Sequence, residues 1–197
     1  MTRRTQTLPD AYFVGIYADN PDPWGFTSSA YERDKYGATL ASLPRERYRL
    51  AFEPACSIGV FTRALSERCD RLVAMDLVPA AVAAARARCA DRPHIEIREG
   101  AMPGDWPGGR FDLIVLSEFL YFLAPADFAE LVRRAGETIE PGGDIVLVHW
   151  LGETDYPLSG DAAAEGFIRS AAPFAKVLHQ SRTAEYRIDV LRAGIDA

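Results

Sequence analysis

Three side chains able to bind or move protons stand at the ends of apolar runs. Asp76 closes RLVAMD, Glu118 follows FDLIVLS, and His149 ends DIVLVH. A carboxylate at a strand end can accept both hydroxyls of a ribose, because it offers several lone pairs and no competing donor. Asp76 follows Glu53, on the preceding apolar run, by about the 20 residues at which a dinucleotide fold places its ribose-binding acid. Glu118 and His149 are a carboxylate and an imidazole, either of which can take a proton from an acceptor or orient its lone pair. The structural alternatives are a capping or solvated carboxylate for Glu118 and a backbone-satisfied histidine for His149. Tyr121, one helical turn beyond Glu118, can direct a hydroxyl at the same place or simply pack.

A ligand also needs backbone to approach. The stretch AFEPACSIGVFT runs from a strand into a helix, and Ala55, Ser57 and Gly59 keep the turn small. Cys56 and Ile58 between them are expected to point into the core. Neither GxGxxG nor GxxxxGK[ST] is present, and the turn holds no lysine, which disfavours NAD(P) and ATP. A ligand with a ribose and no phosphate fits better. A plain turn with a solvated aspartate remains the bland reading of the same residues.

The elements that would position these residues follow from periodicity. The runs YRLAFE, RLVAMD, HIEIRE, FDLIVLSE and DIVLVHW alternate with the helical patterns IGVFTRALSERC, PAAVAAARARCAD and PADFAELVRRAGETI. That alternation predicts parallel βαβ units. Phe128, Leu131, Val132, Ala135 and Ile139 form one helical stripe, after which Pro141-Gly142-Gly143 is expected to turn the chain into the fifth strand. A helix is expected near residues 162–170. AKVLHQS and AEYRIDVLR are too close together for a parallel crossover, so they should pair as an antiparallel hairpin. The predicted fold is α/β, a doubly wound, Rossmann-like sheet of seven strands, five parallel plus the hairpin. SSAYERDKYGATLASL reads as a helix ahead of it. Residues 1–45 form an N-terminal arm and lid helix, and residues 46–197 the main domain.

The chain of 197 residues carries a formal net charge of −6, which argues against a nucleic-acid partner. Its cysteines, Cys56, Cys69 and Cys89, have no metal spacing and read as reduced thiols, and no metal site is expected. No signal peptide or membrane-spanning run is evident, so a soluble, cytoplasmic monomer or homodimer is expected.

FEPACSIG, VAMD, FDLIVLSEFLYFL and PGGDIVLVHW, in that order, resemble the class I S-adenosylmethionine-dependent methyltransferases. DPWGF, YERDKY, EFLYFL and HWLGETDYPLSGD narrow the resemblance to the nodulation protein S family, whose members N-methylate an amino sugar. The resemblance implies S-adenosyl-L-methionine as cofactor and a small-molecule methyl acceptor with an amine, or alternatively a hydroxyl. A chain that keeps the fold but lacks activity is the rival from another class. The cofactor set implied is Glu53, Ala55, Cys56, Ser57 and Gly59; Asp76 with Leu77; Ala101 with Met102; Ser117; and Trp24 with Lys35. Glu118, His149 and Tyr121 are the implied catalytic set. The family pattern ExGxGxG is altered, since Ala55 and Ser57 stand where glycines are usual, and Ala101 replaces an adenine-binding aspartate. Lys35 or Arg33 would pair with the methionine carboxylate under a lid with Trp24 and Tyr31. Trp150, Asp155, Tyr156 and Asp161 would line the acceptor side.

Overall fold

A computed structural model describes residues 2–194. Seven strands form one sheet: β1 (Ala51–Pro54), β2 (Leu72–Asp76), β3 (Ile95–Glu99), β4 (Phe111–Ser117), β5 (Ile139–Trp150), β6 (Ala175–Arg182) and β7 (Tyr186–Ala193). Their order is β3-β2-β1-β4-β5-β7-β6. The first five are parallel, and β7 runs antiparallel to both β5 and β6. The expected five parallel strands and antiparallel pair are therefore present, with the second arm of the hairpin inserted beside β5. The chain steps outward from β1 through β2 to β3, then returns to place β4 on the other side of β1. That reversal opens a crevice beyond the carboxyl ends of β1 and β4.

Helices α1 (Asp10–Asp19) and α2 (Ala30–Ser42) precede the sheet; α3 (Val60–Leu65), α4 (Pro79–Arg88), α5 (Pro125–Thr138) and α6 (Gly160–Ala171) alternate with its strands. Pro79 and Pro125 each open their helix, where a missing N–H removes no bond. Ser29 and Ser159 cap α2 and α6 by accepting from Glu32 N–H and Ala162 N–H. Central strand β4 is apolar on both faces. Ile114 and Leu116 pack toward α5 and α6, while Leu113 and Val115 pack on the opposite side.

Two expectations are corrected. Ile139 does not extend the stripe of α5; it takes extended dihedrals and pairs with Phe111, so the helix ends at Thr138. Pro141-Gly142-Gly143 then forms an irregularity inside β5, between the Phe111–Ile139 and Leu113–Asp144 pairs, with Gly142 at φ 75°. Helix α1 was not evident from periodicity, because its apolar residues surround the axis instead of forming a stripe.

Candidate active site

The crevice is a cavity of about 540 Å³ over the ends of β1, β2 and β4, roofed by α1 and α2. Its floor is the turn after β1. Ala55, Ser57 and Gly59 all adopt the left-handed region, at φ 58°, 51° and 75°. The turn thus keeps the backbone shape that glycines would give, with side chains on two of the three positions. Each non-glycine there costs roughly 1–2 kcal/mol. Hydrogen bonds hold the shape: Cys56 N–H donates to Met75 O at 2.8 Å, and Gly59 N–H to Cys56 O at 3.0 Å. The Tyr17 hydroxyl pairs with Ser57 Oγ from above.

Asp76 is the acid of this floor. Its side chain lines the cavity although the residue is only 8% exposed. Oδ2 accepts Ser57 N–H at 2.8 Å, and Oδ1 accepts Val78 N–H at 2.9 Å. Burial pushes the carboxyl above its usual range, and these backbone donors pull it back. Each oxygen retains a lone pair that can face a ligand. Leu77, Ala101 and Met102 continue the same wall, where Ala101 N–H donates to Asp105 Oδ2 at 2.9 Å. Trp24, 41% exposed, closes the outer rim against Tyr17 and Phe26.

At the other end, Glu118 follows Ser117 with φ 59°, and both line the cavity. Glu118 Oε1 is 2.6 Å from Lys35 Nζ; Oε2 accepts the Tyr121 hydroxyl at 2.8 Å and Trp150 N–H at 2.9 Å. Lys35 Nζ also reaches Glu32 Oε1 at 3.0 Å and lies 4.9 Å from the centre of the Tyr31 ring. Burial lowers the Lys35 ammonium, but Glu118 and Glu32 outweigh it and raise it overall, so Lys35 stays charged. Tyr121 is pushed well up by burial and by Glu118, and remains a neutral donor. Its ring stacks on Tyr156 at 5.6 Å. Glu32 and Glu118 thus set two carboxylates around the one Lys35 ammonium.

A family model for nodulation protein S matches residues 16–139, more than half of the chain. The chain belongs to the nodulation protein S family. Nodulation protein S of Rhizobium tropici is 33% identical over 130 residues, 64% of this chain and 54% of that protein. This family member spans about half the length of the curated relatives it matches. The crystal structure of N-methyltransferase NodS from Bradyrhizobium japonicum WM9, in complex with S-adenosyl-L-homocysteine, shares the fold. It superposes with a TM-score of 0.80 at 22% identity, covering 93% of this chain and 98% of that one. Acetylserotonin O-methyltransferase of Mus musculus is 32% identical over 201 residues, 92% of this chain and 51% of that protein.

Several expected residues of this nodulation protein S-family chain do not reach the cavity. His149 is fully buried, because alternation along β5 turns it toward α6 and behind the Tyr121 ring at 5.6 Å. Both ring nitrogens lack a partner among the described residues, and burial pushes its pKa down to about 4. A neutral, enclosed imidazole is not placed to exchange protons with an acceptor. Glu53 lies beneath the turn, where burial pushes its pKa up to about 8. The Thr62 hydroxyl stands beside it, yet neither Glu53 Oε2 nor Thr62 Oγ1 has a partner of sound geometry among the described residues. Cys56 is buried below the turn. Gly59 is needed for another reason: a Cβ there would meet Ala85 Cα and Cβ at 2.9 Å, so the glycine lets α3 approach α4. On the acceptor side, Tyr156 and Trp150 line the cavity, but Asp155 pairs with Arg4 at 2.9 Å and Asp161 with Arg187 at 2.8 Å. Arg33 is exposed and donates to Ser28 O at 2.8 Å.

Sequence reasoning missed the contribution of α1, which brings Asp10, Phe13 and Tyr17 to the cavity. The available signal was Phe13 and Tyr17 at helical spacing just after Pro9. It also missed Glu32, although Glu32 and Lys35 share a helix face by their spacing of three.

Proposed function

We propose that this chain is an S-adenosylmethionine-dependent methyltransferase that N-methylates a small molecule, an amino sugar or related amine. The carrying observation is Asp76: a buried carboxylate on a cavity wall, fixed by two backbone donors and with lone pairs left over. A ribose diol suits it. The left-handed turn beside it brings backbone to the ligand, and Ala101 and Met102 offer small, apolar contact for a base. When bound, the cofactor supplies an electrophilic methyl on a sulfonium. The residues here therefore need to orient, enclose and handle charge.

Glu118 is best placed to act on the acceptor. Its oxygens are engaged by Lys35, Tyr121 and the Trp150 backbone, so its first role is to hold an ammonium or amine in register. It receives the acceptor's proton when one of these donors gives way. Tyr121, Tyr156 and Trp150 give the acceptor an aromatic wall on which a sugar face or small ring can rest. Two carboxylates, Glu32 and Glu118, set around one lysine favour a cationic acceptor over an acidic one. The relative named N-methyltransferase supports a nitrogen acceptor.

Similarity to an O-methyltransferase over most of the chain favours a second reading, a hydroxyl acceptor on the same scaffold. One assay separates the readings. Tritiated S-adenosylmethionine is offered with deacetylated chitin oligosaccharides, simple amines and hydroxylated acceptors. Label on the amines supports the proposal, and label confined to hydroxyls supports the alternative. Binding of S-adenosylhomocysteine with no labelled acceptor would instead describe an inactive binding protein of the same fold.

A further inference from the structure

The space beside Glu118 is walled by rings. Phe13, Phe122, Tyr156 and Tyr121 form a continuous run, with centroids 4.9 Å apart for Phe13–Phe122, 4.7 Å for Phe122–Tyr156 and 5.6 Å for Tyr121–Tyr156. All four line the cavity, and Trp150 stands on its rim, 39% exposed. The polar atoms of this wall are mostly engaged elsewhere. The Tyr121 hydroxyl donates to Glu118 Oε2, and the Tyr156 hydroxyl stands beside Tyr12. Thr7 Oγ1 accepts Ala124 N–H at 2.8 Å and donates to Asp127.

Three acceptors stay open around the same point. Glu118 Oε1 takes one bond, from Lys35, and keeps a lone pair. The Tyr31 hydroxyl is buried and has no hydrogen-bond partner among the described residues. Ser117, next to Glu118, adds a hydroxyl on the cavity wall. An ammonium brings three N–H donors and uses this set up, leaving no polar partner for the rest of the acceptor. A sugar hydroxyl enclosed here without a partner would weaken binding about 5- to 100-fold. An aromatic ring instead gains from stacking on the wall.

The N-terminal arm makes the enclosure firm. Arg4 N–H donates to Asp155 O at 2.8 Å, the Arg3 guanidinium to Tyr156 O at 3.0 Å, and Leu8 N–H to Phe122 O at 3.0 Å. These bonds tie the arm to the loops after β4 and β5, so the body of an acceptor lies against the rings. The cavity of about 540 Å³ takes roughly one drug-sized ligand, and beside a nucleoside only a compact acceptor fits.

We infer that the methyl acceptor is an arylalkylamine, a primary or secondary amine joined by a short chain to an aromatic ring. The inference rests on the N-methyltransferase reading above and narrows its acceptor from amino sugars to compact aromatic amines. The ammonium sits on Glu118 Oε1 and the Tyr31 hydroxyl, and the ring lies on Tyr121 and Tyr156. The ammonium gives one proton to Glu118. Its lone pair then forms the N–C bond as the S–C bond breaks toward sulfur, and the product leaves as a methylammonium.

The test is calorimetric titration of the full chain, saturated with S-adenosylhomocysteine, with phenethylamine, glucosamine and ethylamine. Phenethylamine should bind at least ~30-fold more tightly than either of the others, and tritiated S-adenosylmethionine should label it in preference to glucosamine. Tyr156→Ser should reduce the preference for phenethylamine over ethylamine to within ~5-fold, with S-adenosylhomocysteine affinity within ~3-fold of wild type. Glucosamine binding as tightly as phenethylamine, no binding of phenethylamine, or an unchanged preference in Tyr156→Ser would each overturn the inference. If S-adenosylhomocysteine binds and glucosamine is the amine labelled, only this inference falls. If wild type fails to bind S-adenosylhomocysteine, the cofactor reading falls with it.

Discussion

The turn after β1 gives two opposite predictions from one backbone conformation. Ala55 sits at φ 58° with a Cβ, a strain of roughly 1–2 kcal/mol that glycine would not carry. Ala55→Gly relieves it, while the freer unfolded chain takes back about 0.4–1 kcal/mol. The net expectation is stabilisation of ~0.5–1 kcal/mol, or a rise in Tm of about 1–4 °C for a chain of this size. Gly59 has the same kind of conformation, at φ 75°, but its missing Cβ is where α4 packs, 2.9 Å from Ala85 Cα and Cβ. Neither atom can swing away. Gly59→Ala adds the left-handed strain to an overpacking term of about 1–3 kcal/mol, giving a loss of roughly 2–5 kcal/mol. Differential scanning calorimetry and urea unfolding read both variants, and S-adenosylhomocysteine titration should change less than ~3-fold in Ala55→Gly. A lower Tm for Ala55→Gly, or an unchanged one for Gly59→Ala, would refute the argument that the turn holds a glycine-like shape under strain.

Three further outcomes follow from charge and burial. Glu118→Gln should leave S-adenosylhomocysteine affinity within ~3-fold and slow methyl transfer at least ~10-fold; equal turnover would show that alignment alone suffices. His149, at about 4 in the fold against 6.5 unfolded, is protonated first in the unfolded chain. Stability should therefore fall as pH drops from 6.5 to about 4, by about 3 kcal/mol, and His149→Phe should lack that part of the slope. Identical slopes in urea unfolding would place His149 in contact with water. Glu53 has the opposite sign: raised from 4.5 to about 8, it is protonated in the fold and ionised in the unfolded chain between those values. Its contribution, on the order of 5 kcal/mol, is complete below pH 4.5 and lost as pH rises through about 8. Glu53→Gln should flatten stability over that range, and a parallel curve would contradict the burial argument.

Most of the architecture was readable because buried parallel strands are continuous apolar runs and their helices carry stripes. LIVLS and IVLVH announce central strands, and the short gap between AKVLHQS and AEYRIDVLR forces an antiparallel pair. The same cues could not show which arm meets β5, since both arms have the hairpin pattern. In the site, strand ends located Asp76 and Glu118, but strand phase decided the rest. His149 and Glu118 both end apolar runs, yet the pleat turns the first inward while the left-handed residue at Glu118 directs the second into the cavity. Residue type also misleads at Ala55 and Ser57, where hydrogen bonds to the turn hold a conformation that composition would assign to glycine. The Lys35–Glu118 pair joins positions 83 residues apart, a separation no local pattern encodes.

Titration of wild type and Asp76→Ala with S-adenosylhomocysteine tests the central claim most directly. The account predicts one site per chain in wild type and affinity at least ~10-fold weaker in the variant, together with a lower Tm in the absence of ligand, since Ser57 N–H and Val78 N–H lose their acceptor. Absence of heat at millimolar ligand in wild type, or equal affinity in the two proteins, would contradict it.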